Sequence, residues 1–243
     1  MPQALVLSML GGFELRCDGE QLRLAPGVER VVAYIALQGR PASRSNVAGS
    51  LWLDVPEERA MANLRSALWR LRQLRPRLVE SLGDHLSLAP DVAVDVHVLS
   101  SAARDVLDGS RSTASTDLAG LASSGELLSD WFEEWVLLER ERFRQLRLHA
   151  LERIAAELAA GGEYGRAIVM ALAAIATEPL RESAHFVLIQ LHLAQGNRIE
   201  AIRQYCTYQQ LMRDELDLEP SLQMRGLLEG LPDATVQRVC RTH

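Results

Sequence analysis

The chain has 243 residues, 48% of them hydrophobic, with 26 arginines, no lysine and a formal net charge of -6. That length fits one or two domains with real cores, and the negative total confines any nucleic-acid contact to a local basic surface. No apolar run reaches the length of a membrane helix, the N-terminus lacks the basic region of a signal peptide, and Cys17, Cys206 and Cys240 form no CxxC pair. The sequence therefore predicts a cytoplasmic protein without a membrane span, a disulfide framework or a zinc site.

Strand patterns come first. Ala4–Leu10 is apolar, Gly11-Gly12 marks a turn, Phe13–Cys17 alternates, and Asp18-Gly19 turns the chain into Gln21–Leu24. A helical pattern runs from Pro26 to Gln38, with proline in its first turn and Gly39 as its cap. Ser43 is a good N-cap for a second short helix ending near Trp52. The third helix is basic: residues 59–77 hold six arginines and no acidic residue. Leu64, Leu68 and Leu71 give it one apolar face, while Asn63, Ser66, Arg70, Gln73 and Arg77 fall on the other side. Leu78–Ser81 and His85–Leu88 read as a hairpin around Leu82-Gly83-Asp84, and a further helix ends near Leu107. Strands, three helices and a hairpin are the order of a winged helix-turn-helix.

Residues 108–116 are small and polar, a linker composition. From Glu126 onward the pattern is helical nearly throughout, and a period of 34 appears. Ala150, Ala160, Gly162, Ala167 and Ile168 recur as Ala184, Ala194, Gly196, Ala201 and Ile202. This is the period of tetratricopeptide helix pairs. The expected fold is thus mainly α: a winged helix with a small β-sheet over 1–108, a linker over 109–124, an all-α tetratricopeptide-like domain over 125–232 and a tail over 233–243. Residues 1–110 carry 12 Arg against 13 Asp plus Glu, whereas residues 111–243 carry 14 against 19. Phosphate would be repelled by the second half, so the first must meet any nucleic acid.

In Leu51-Trp52, Ala62-Asn63-Leu64 and Arg70-Leu71-Arg72, in the segment 125–152 and in the DLEPS ending at 217–221, the chain resembles the Streptomyces antibiotic regulatory protein (SARP) family. The resemblance covers nearly all of residues 4–231. It implies an OmpR-type winged helix ahead of a bacterial transcriptional activator domain, and a cytoplasmic activator that binds promoter direct repeats. Double-stranded DNA, RNA polymerase and a second copy of the chain on DNA are the implied partners. The wing departs from the family pattern, with no Gly-Tyr pair and no arginine at its tip.

Arg70 aligns with the position that reads bases in OmpR-type recognition helices, and a guanidinium can bond guanine bidentately. Arg59, Arg65 and Arg72 suit phosphate clamps, although Arg72 could instead pair with Glu80 or Asp84. Asn63 and Ser66 share the exposed face. The resemblance gives Trp52 an indole N–H for phosphate, against a plain core role. Trp69 packs either on the sugar-phosphate edge or on the domain's own flank. Ser43 and Arg44 open the second helix, where backbone N–H groups attract phosphate, and Ser43 also serves as cap.

Trp131, Trp135 and Leu138 read as a core stripe of the C-terminal domain, and Glu139 to Arg142 as a self-paired solvated face. No catalytic constellation, metal set or nucleotide loop emerges, so neither an enzyme nor a cofactor is expected. The alternative is a protein-interaction adaptor that works through its repeats, its winged helix having lost DNA binding.

Overall fold

The computed structural model describes residues 4–110 and 118–241. The chain forms two compact units. One takes residues 1–101 and 124–143; the other takes 102–123 and 144–243. This division does not follow the expected boundary at 125, because the segment after Ser123 belongs with the N-terminal unit.

The N-terminal unit opens with β1 (Leu5–Ser8), β2 (Glu14–Cys17) and β3 (Glu20–Gln21), then α1 (Pro26–Gln38), β4 (Ala42–Ser43), α2 (Arg44–Leu51) and α3 (Glu57–Arg72). It continues with β5 (Val79–Leu82), β6 (His85–Leu88) and β7 (Val92–Val94). The first sheet has the order β3-β2-β1-β7, with β7 parallel to β1; the second has the order β4-β6-β5. The predicted strand, helix and hairpin order is therefore present. Pro26 sits in the first turn of α1, and Gly39 closes it at φ 60°, a left-handed cap that favours glycine. The Asp95 carboxylate accepts from the backbone N–H groups of Met9, Leu10 and Val96, fixing the end of β1 to the start of the next helix.

α4 (Asp95–Leu107) follows, and then α5 (Leu118–Ser123). Residues 111–117 of the expected linker lie outside the described residues, and the rest of that linker includes α5. α6 (Glu134–Ala160), α7 (Tyr164–Thr177), α8 (Glu182–Ala194), α9 (Arg198–Leu216), α10 (Leu222–Gly226) and α11 (Asp233–Arg241) complete the chain. The 34-residue period is visible in the backbone. Gly162 at φ 79° ends the turn between α6 and α7, and Gly196 at φ 76° does the same between α8 and α9. Ala150, Ala167, Ala184 and Ala201 are all fully buried where paired helices approach.

Four expectations need correction. Residues 124–133 are not helical; Leu127 instead bridges to Leu10, and Gly11 donates to the Glu126 carbonyl. Trp131 and Trp135 pack on the N-terminal unit, Trp131 stacked on Phe13 at 5.9 Å and Trp135 edge-on to Tyr34 at 5.3 Å, while Leu138 stays exposed. Arg140 is no solvated partner of its neighbours. Its side chain is 12% exposed and donates to the carbonyls of Leu127, Leu128 and Trp131, clamping the non-helical segment. The fourth concerns the cysteines. Cys206 of α9 and Cys240 of α11 form a disulfide with Cα atoms 5.2 Å apart, so the expected 233–243 tail holds a covalently attached helix.

The start of α8 is tied to α6 by an ion pair. Arg181 donates to both carboxylate oxygens of Glu152, at 2.7 and 3.0 Å, and Ser183 Oγ donates at 2.6 Å. Burial pushes the Glu152 carboxyl up, but the hydrogen bonds from Arg181 and Ser183 and the Arg181 charge outweigh it and hold it below its ordinary value. A carboxyl with a lower pKa folded than unfolded stabilises above its unfolded pKa and loses that stability as pH falls through the folded value. Glu152→Gln is expected to flatten the acid limb of the stability curve below about pH 4.5. Urea titrations of both proteins at pH 7 and pH 3.5 check this. An unchanged difference between the two pH values would remove Glu152 as its source.

Candidate nucleic-acid interface

α3 carries the candidate surface, and its sequence explains the shape. Ala60, Leu64, Ala67, Leu68 and Leu71 are buried, a period that turns one face inward. Glu57 and Glu58 occupy the first turn and Arg70 and Arg72 the last, charges that complement the helix dipole at both ends. What is left forms two adjacent outward rows. Arg59, Asn63, Ser66, Arg70 and Gln73 follow one another at helical spacing, and Arg65, Trp69 and Arg72 run beside them. All of these residues are exposed except Asn63, which is half-buried.

Arg59, Arg65, Arg70 and Arg72 make no ion pair among the described residues. The alternative pairing of Arg72 with Glu80 or Asp84 does not form. Trp69 is 63% exposed, so it does not cover the domain's flank. Trp52 caps the C-terminus of α2 and lines a cleft of about 260 Å³ together with Asn63, Ser66 and Arg70. Four of the sequence-selected residues thus meet in one concave place. α1 supplies its other wall through Gly27 and Val28.

Ser43 and Arg44 lie apart from that cleft. Ser43 Oγ accepts from the Asn46 N–H at 3.2 Å and caps α2 as expected. The Arg44 N–H donates to the Asp84 carbonyl and its guanidinium donates to Ser81 Oγ, so Arg44 joins α2 to the wing. Two of the N–H groups that could have met phosphate are therefore already used. The wing is β5 and β6, turning at Gly83 with φ 59°. Leu82, at its tip, is 84% exposed. Sequence reasoning placed that turn but did not single out its apolar tip; β-period alternation alone does not say which leucine lacks a partner.

In the C-terminal unit His185 is buried, bonded at Nε2 to the Pro179 carbonyl and at Nδ1 to Gln204. Burial lowers its pKa, which favours the neutral ring. Among the described residues no group of three or more His, Cys, Asp and Glu could hold a metal ion, and no helix is long and apolar enough to cross a membrane.

The architecture is a winged helix with an unpaired arginine face, followed by helix pairs. The sequence matches the bacterial transcriptional activator domain family over residues 91–231, more than half of the chain. The chain belongs to that family, and it is a regulator of the SARP type. It is 28% identical over 243 residues to the regulatory protein AfsR of Streptomyces coelicolor, covering 95% of this chain, and 25% identical over 245 residues to AfsR of Streptomyces griseus, covering 94%. The chain spans 24% of the length of each of these relatives. The fold is similar to that of Mycobacterium tuberculosis EmbR, solved in complex with a low-affinity phosphopeptide. The TM-score is 0.70 at 20% identity, over 99% of this chain and 69% of EmbR.

Proposed function

We propose that this protein is a sequence-specific DNA-binding activator. In this reading α3 enters the major groove of promoter direct repeats, two copies sit side by side about one helical turn apart, and the helix pairs engage RNA polymerase. No chemistry is performed. One observation carries the reading: Arg59, Arg65, Arg70 and Arg72 project from a single helix without ion pairs, in a chain of net charge -6. Unpaired guanidinium groups within one helical face repel one another, and a polyphosphate backbone relieves that repulsion.

The test is a titration with promoter fragments over a range of salt. If about five phosphates are neutralised, log K is expected to fall with log salt at a slope of about -4 to -5. Selection from random duplexes should return a motif repeated at about ten- or eleven-base-pair spacing. The adaptor reading is favoured by one feature, the apolar wing tip at Leu82 in place of a cation. It requires a flat salt dependence and no preferred site.

A further inference from the structure

The N-terminal unit contains a second cleft, of about 400 Å³, on the other side of the turn that follows α2. Leu51, Leu53, Trp135 and Leu138 form its apolar walls. Leu53 is 72% exposed and Leu138 51%. Such a volume suits a small molecule.

The charges here are unequal. Arg30 pairs with Glu133 at 2.9 Å and donates to the Leu51 carbonyl, so its charge is already met. Asp54 and Glu134 line the same cleft and make no ion pair among the described residues. A cleft with leucine and tryptophan walls and two spare carboxylates complements an apolar body with a protonated amine.

The turn gives this cleft a route to the candidate DNA surface. Leu51 and Leu53 line the 400 Å³ cleft, while Trp52, between them, lines the 260 Å³ cleft with Asn63, Ser66 and Arg70. Leu53, the exposed one of the two, is bonded directly to Trp52, so a ligand that moves Leu53 acts on the backbone that carries Trp52. We infer that the cleft at Leu53, Asp54 and Glu134 is an effector site for an amphiphilic amine, and that its occupancy changes DNA affinity. The second half of this inference rests on the DNA-binding reading above; the first does not.

Isothermal calorimetry on the full chain tests it with two matched probes, 4-phenylbutylamine and 4-phenylbutyrate. The amine is expected to bind with a Kd on the order of 0.1 mM, and the carboxylate at least tenfold more weakly. A double variant, Asp54→Asn with Glu134→Gln, should lose that preference; both positions are exposed, so the fold should survive. In the salt titration described above, the amine should shift the DNA Kd of the parent protein several-fold and that of the double variant not at all. No amine binding at millimolar concentration, or equal binding of amine and carboxylate, overturns the site. Amine binding that leaves the DNA Kd unchanged overturns the effector role. If the parent protein selects no DNA, the regulator's DNA reading fails, while the calorimetry still decides the cleft.

Discussion

Replacing Arg70 with alanine is expected to remove base preference at one position of the operator, at a cost of about 1–3 kcal/mol, roughly a 5- to 150-fold loss of discrimination. Binding to unrelated duplexes should weaken far less. The argument is geometric. Arg70 lies on the same outward row as Asn63 and Ser66 and lines the cleft that they share with Trp52. Arg65 and Arg72 lie on the neighbouring row, alongside the exposed Trp69. Arg72→Ala and Arg65→Ala should therefore weaken all sequences about equally and lower the salt slope by about one unit each. Stability should barely change in any of the three. Each side chain is exposed and without an ion pair among the described residues, and alanine is the stronger helix former. The loss of a favourable charge in the last turn costs Arg70→Ala about 0.3–1 kcal/mol at most. Competition binding against operators with single base changes, alongside thermal melts, checks both halves. If Arg70→Ala retains full discrimination, another element reads the bases.

Features that were legible in the sequence were those imposed by local chemistry. α1 begins and ends where Pro26 and Gly39 require, because proline tolerates only the first turn and glycine accepts a left-handed cap. The arginine rows of α3 follow from the 3.6-residue period, which also fixes the buried leucines. Gly162 and Gly196 gave away the repeated helix pairs for the same backbone reason. Features that escaped were long-range pairings. Trp131 and Trp135 stand four apart, a helical spacing, but Trp131 precedes α6 and both rings find partners in Phe13 and Tyr34, more than a hundred residues away along the chain. The run from Glu139 to Arg142 looked like a surface. Only part of it is: Arg142 pairs with Glu139, while Arg140 turns to three carbonyls of a loop. A sequence does not display carbonyls that lack a helix partner. Of the candidate site, the rows of α3 were readable, whereas the meeting of Trp52 with α3 and the link from Arg44 to the wing depend on how α2 is placed.

The cysteines give the second large expectation. Reducing the Cys206–Cys240 disulfide should destabilise the C-terminal unit by about 3–4 kcal/mol, because the bond closes a loop with a sequence separation of 34. At that unit's size this lowers its melting temperature by roughly 12–16 °C. The attachment points explain why the loss is local. Cys206 is buried in the cluster that contains Tyr205, Tyr208, Met212 and Met224, and the α11 residues Val236, Val239 and Cys240 pack on that same cluster. A nine-residue helix is too short to persist alone in water, so α11 depends on this apolar face and on the tether that holds it there. Cys240→Ala should show the lower melting temperature with or without reductant. Cys17→Ala should leave the reductant dependence intact, since Cys17 is a buried free thiol in the other unit. Three cysteines spread over the sequence concealed this pair, because an odd count says nothing about which two the fold brings within bonding distance. Coincident melts of the oxidised and reduced parent protein would show that the two sulfurs are not joined in solution.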